Sequence, residues 1–145
     1  MKKYELLKDQ SIVSNGRILF RIKALISFTH ISKGDIGGYI EKEENLAHFG
    51  NGWVSGNGRV SGNGRVSGNG QVSGNAISTK LTHTSTFIYR LTLTDNHIKY
   101  GCIQKTIKEW ELWLDSTEII ETERTNPKFK IIEMTLRTSI AMSKL

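Results

Sequence analysis

A valine recurs every six residues between positions 53 and 78: Val54, Val60, Val66 and Val72. After each comes Ser-Gly-Asn, then glycine or alanine, then one variable residue. A six-residue period fits neither the spacing of a helix nor the alternation of a strand. It fits short extended pieces joined by corners. The β-branched valine favours the extended piece, and Gly-Asn-Gly enters left-handed backbone cheaply enough to turn the chain. Three pieces per turn stack residues eighteen apart. Val54 then lies over Val72, Asn57 over Asn75, Gly58 over Ala76 and Arg59 over Ile77. The pattern predicts a hexapeptide β-helix over 46–80 with the valines inside. About thirty residues make fewer than two turns, so flanking segments or another copy must close the ends.

The flanks carry strand and helix patterns. Residues 4–7, 11–14 and 17–26 read as strands, with Asn15-Gly16 as a two-residue hairpin turn. Ile18, Phe20, Ile22 and Leu25 approximate alternation, so one face of this small sheet is buried and could cap the coil. After the repeat, Phe87, Tyr89, Leu91 and Leu93 alternate with polar or smaller neighbours. Asp95-Asn96 is a turn, and 97–102 is the return strand. Thr106 and Glu109 have the spacing of a capping box, opening a helix with Ile107, Trp110, Trp113 and Leu114 on its apolar side. Asn126-Pro127 starts a last helix, with Phe129, Ile132, Leu136 and Ile140 on one stripe. That stripe packs on the body or makes an oligomer contact. Ile131, Met134 and Met142 widen the apolar coverage. The chain divides into a β cap (1–45), the repeat (46–80) and C-terminal strands and helices (81–145), forming one compact unit.

Charge changes little. The net charge is +6, and the repeat segment contains no Asp or Glu. This sign excludes an acidic nucleic-acid mimic and permits contact with nucleic acid without demanding it. No apolar run is long enough to span a membrane, and no signal-peptide pattern opens the chain. One cysteine, Cys102, rules out an internal disulfide framework and reads as a small apolar core residue. His30, His48, His83 and His97 are scattered, with no metal-ligand spacing. Neither a dinucleotide fingerprint, a phosphate loop nor a nucleophile elbow is present. No catalytic residue, metal or cofactor is assigned.

The run Gly34-Asp35, Gly37-Gly38, Ile40-Glu41, Asn45-Leu46 and Trp53-Val54 resembles a group of small phage and prophage proteins with hexapeptide repeats. The stretch Gly101-Cys102, then Thr106-Ile107-Lys108-Glu109-Trp110, is similar to that group's tail. The likeness covers roughly the first 110 residues. Gly58, Gly64 and Gly70 stand where the group usually has alanine, which should loosen the coil; Lys105 stands where its tail usually has histidine. The resemblance implies phage origin, a left-handed coil and no established activity. The fold class expected is therefore mainly β with a C-terminal α part: an N-terminal β-hairpin, a short hexapeptide-repeat left-handed β-helix, then a β-hairpin and two helices.

The function expected is non-enzymatic. A phage-derived protein of this kind would inhibit a host protein, such as a CRISPR-type nuclease of host defence, by occupying its surface. It would work in the bacterial host cytoplasm, as a homo-oligomer, on a host protein or a protein–nucleic-acid complex. The expected partner contacts are Trp53, Arg59, Arg65, Gln71, Arg90 and Lys105. The expected oligomer contacts are Phe129, Ile132, Leu136 and Ile140. A hexapeptide-class acyltransferase is the alternative from another class, as is a spacer in the virion.

Overall fold

A computed structural model describes residues 2–80 and 82–145. Strand β1 (Tyr4–Ser14) pairs antiparallel with β2 (Arg17–Ala24). Asn15 and Gly16 turn between them with φ of 51° and 75°. Both values are positive, as this hairpin turn needs. The break expected after residue 7 is instead a bulge between Leu7 and Ser11 within one long strand. Strand β3 (Ile36–Ile40) adds antiparallel to β2.

The repeats follow. They form β4 (Trp53–Val54), β5 (Arg59–Val60), β6 (Gln71–Val72) and β7 (Ile77–Ser78). Val54 pairs with Val72 and Arg59 with Ile77, both parallel and eighteen residues apart. In each repeat the serine carbonyl accepts from the amide three residues on, as in Gly58 to Ser55 at 2.9 Å and Ala76 to Ser73 at 3.0 Å. Gly56, Gly62, Gly68 and Gly74 hold φ between 56° and 59° at these corners. At Gly64 the second glycine of the repeat is needed for close approach. A Cβ on Gly64 would lie 2.6 Å from the Ser78 carbonyl oxygen.

The left-handed β-helix is corrected. The described residues form eleven strands in three sheets, and among them the repeats do not close a solenoid of their own. Strands β5 and β7 continue the N-terminal hairpin in one mixed sheet of order β1-β2-β3-β5-β7. Strands β4 and β6 form a separate two-stranded sheet. The remaining valine, Val66, makes only a bridge with Leu46. The physical reason is length. Two residues per piece and so few pieces leave each face short, so the hairpin completes it.

The third sheet has the order β11-β10-β9-β8, from β8 (His83–Ser85), β9 (Leu91–Leu93), β10 (His97–Tyr100) and β11 (Ile103–Thr106). The sequence pattern missed β11, because the return strand was expected to end the sheet. Helix α1 (Ile107–Leu114) starts on the expected capping box. The Glu109 amide donates to Thr106 Oγ1 at 3.1 Å, and the Thr106 amide donates to Glu109 Oε1 at 2.9 Å. Helix α2 (Lys128–Ser143) begins after Pro127, with Asn126 Oδ1 accepting from the Lys128 amide.

Two cores result. In the first, Val54, Val60, Val66, Val72, Ile40, Leu46 and Ala76 are fully buried inside the repeats, with Tyr4, Ile22 and Trp53 against them. In the second, Leu91, Ile98 and Tyr100 of the third sheet pack on Trp110, Trp113, Ile132 and Leu136 of the helices. Polar side chains join the two. Thr92 Oγ1 accepts from the Gln71 amide at 3.0 Å, and Gln104 Nε2 donates to the Ser73 carbonyl at 2.9 Å. Among the described residues no helix is long and apolar enough to cross a membrane.

Candidate functional site, a basic cleft where three segments meet

The six expected contact residues scatter, with one exception. Trp53 is 2% exposed. Its ring meets Phe28 edge-on at 5.4 Å and Tyr4 at 6.5 Å. It is a core residue and offers no contact surface. Arg59 reaches across to Ser14 Oγ at 3.3 Å. Arg65 is exposed on another face, and its carbonyl accepts from Thr82. Lys105 lies 5.8 Å over the Trp110 ring. Only Gln71 and Arg90 converge, and they line one cleft of 280 Å³.

Three segments build this cleft. Strands β9 and β10 pair Thr92 with Lys99. Arg90 stands just before β9, and its carbonyl accepts from the Gly101 amide at 2.8 Å. Strand β6 supplies Gln71, whose side-chain amide is held by the Asn51 carbonyl at 3.1 Å. The turn 28–31, closed by reciprocal Phe28–Ile31 backbone bonds, carries exposed His30. Cys102 completes the rim on the β10–β11 turn, where Gly101 has φ of 63°. Cys102 is exposed, which corrects its reading as a core residue. Its position after Gly101 puts it on a tight turn rather than in a strand.

The electrostatics are one-sided. Among the described residues no carboxylate lines the cleft. Among the described residues neither Arg90 nor Lys99 makes an ion pair. Some cations elsewhere are matched: Arg17 bonds Glu41 at 3.0 Å and Lys2 bonds Glu43 at 3.1 Å. Glu41 also accepts the Gly62 amide at 2.7 Å, and this bond first, then Arg17, holds its carboxyl below the usual range. An arginine and a lysine left unmatched, beside an imidazole, an amide and a hydroxyl, can bind carboxylate or phosphate oxygens.

The sequence pointed to Gln71 and Arg90 but missed His30 and Lys99. Neither carries a periodic or motif signal, and only the tertiary fold sets them together. The other histidines lie apart. His48 stacks on Tyr4 at 4.2 Å and accepts from the Lys3 amide. His97 opens β10, and burial lowers its pKa. His83 lies on β8. Among the described residues no three His, Cys, Asp or Glu side chains gather as a metal site.

Phe129, Ile132, Leu136 and Ile140 are all buried against the third sheet and α1, at 0–7% exposure. They are therefore unavailable for the oligomer contact expected of them. The strongest apolar stripe of α2 serves the chain's own core.

A scan against protein-family models finds no match to this chain, and a search of curated proteins finds none either.

Proposed function

We propose that the chain is a non-catalytic binding protein of phage type, inhibiting a guided nuclease of host defence by occupying an anionic part of its surface. The observation that supports this most is the cleft, where Arg90 and Lys99 have no carboxylate partner among the described residues and His30 lies beside them. At 280 Å³ it is too small to enclose a macromolecule. It suits one protruding phosphate at the edge of a larger contact, gripped by charge-assisted hydrogen bonds. The likeness of the Gly34–Val54 run to phage repeat proteins supports the host-directed part of the reading.

The test is target cleavage by purified, guide-loaded CRISPR nucleases in the presence of the chain. The wild type is expected to inhibit at least one of them. The double variant Arg90→Glu, Lys99→Glu is expected to lose most of that inhibition while keeping the wild-type far-UV spectrum. Inhibition that survives this charge reversal would remove the cleft from the mechanism. No inhibition of any nuclease class would refute the reading itself.

A further inference from the structure

Strand β8 is an outer strand of the third sheet. Among the described residues no backbone hydrogen bond reaches His83, Thr84 or Ser85 from the side away from β9. Proteins usually blunt such an edge by keeping it very short, as β8 is at three residues, or with lysine, proline, a bulge or a cover. His83-Thr84-Ser85 carries no lysine or proline, and its pairing with β9 is regular.

A second apolar face of α2 runs beside this edge. Ile131, Met134 and Met142 are 44%, 68% and 36% exposed, and Phe87, just past β8, is 65% exposed. Together with hydroxyl side chains such as Thr135 and Thr138 they line a groove of 610 Å³. Among the described residues no Lys, Arg, Asp or Glu lines it.

We infer that this groove is the contact between two copies of the chain. A two-fold axis perpendicular to the sheet sets β8 antiparallel to β8 of the other copy, and α2 beside its counterpart. One operation thus meets both unsatisfied features. The two four-stranded sheets become one of eight strands, and each helix covers the other's outer stripe. A two-fold contact must be self-complementary, and an antiparallel strand pair is. In a chain of net charge +6, this uncharged groove is a surface where self-contact opposes no like charges. Size agrees. At roughly 200 Å² for a fully exposed large apolar side chain, the four residues offer about 400 Å² per copy. Strand backbone and hydroxyl groups add to this, towards the ~800 Å² per partner of a stable interface.

Sedimentation equilibrium of the whole chain tests the inference. The wild type is expected at twice its 16.3 kDa chain mass. Met134→Glu and, independently, Phe87→Glu are expected at the single-chain mass, with unchanged far-UV spectra and cooperative melting. Both side chains are mostly exposed, so neither change disturbs a core. A wild type that stays monomeric at 100-fold the concentration used for spectroscopy would overturn the inference and favour an extended peptide as the groove's occupant. A dimer that persists in both folded variants would overturn it equally.

Discussion

Lys3 offers a test with a defined sign. It is 1% exposed, and its Nζ donates to the carbonyls of Gly52 at 2.7 Å and Gly50 at 3.3 Å. The Phe28 ring lies 4.9 Å from it. Among the described residues no carboxylate pairs with it. Burial lowers its pKa from 10.5 to about 8. The unfolded chain holds that proton up to the ordinary lysine value. Between these two values the unfolded state binds more protons, so folding stability rises with pH across that window. At 1.36 kcal/mol per unit, the full effect is about 3 kcal/mol. The two carbonyls and the ring favour the ammonium, which makes this an upper bound. Tyr4 acts in the opposite sense higher up. Burial, then the charges of Glu43 and Glu44, raise its pKa. The folded state keeps that proton while the unfolded state loses it from about pH 10, so stability falls there.

The clean interval is therefore about pH 7.5 to 9.5. Urea denaturation at both ends, on the wild type and on Lys3→Met, reads it. The variant keeps Tyr4 and lacks the lysine. The wild type is expected to gain roughly 2 kcal/mol relative to the variant across the interval. Parallel pH profiles for the two proteins would refute the reasoning, because they would mean that Lys3 carries its charge at no cost.

Two further changes probe the first core. Gly37→Ala would place a methyl 2.5 Å from the Val54 carbonyl oxygen and 2.8 Å from the Trp53 ring, and overpacking against backbone is expected to cost about 3 kcal/mol in chemical denaturation. Asn45→Ala removes a fully buried side chain that accepts from the amides of Glu41 and Lys42 and donates to the carbonyls of Gly62 and Gly64; leaving these groups unpaired is expected to cost about 3 kcal/mol, read as a lower urea midpoint with an unchanged slope.

Much of the local structure was legible in the residues. Asn15-Gly16 made its hairpin, Thr106 and Glu109 their cap, and the valine spacing its eighteen-residue register. These are short-range rules, in which backbone sterics and neighbouring side chains decide. Closure was not legible. Whether Val66 would join a full strand or stop at one bridge with Leu46 depended on how much partner surface the hairpin supplied. The stripe on α2 showed the same limit. Periodicity found Phe129, Ile132, Leu136 and Ile140, but it did not say that the third sheet would cover them and leave Met134 outside. The cleft was half visible, because charge and exposure marked Arg90 while nothing in the spacing tied it to His30 or Lys99.

The eighteen-residue register also governs how the chain could change length. A strand of the repeat meets a parallel neighbour one full set of three hexads away. Gain or loss of eighteen residues at a corner would keep the later segments in register with their parallel partners. Gain or loss of six would set different segments side by side, pulling Gln71 away from Thr92 and opening the junction that holds Arg90 and Lys99. The hexad is the unit of spelling, but the triplet of hexads is the unit in which this protein can be lengthened or shortened.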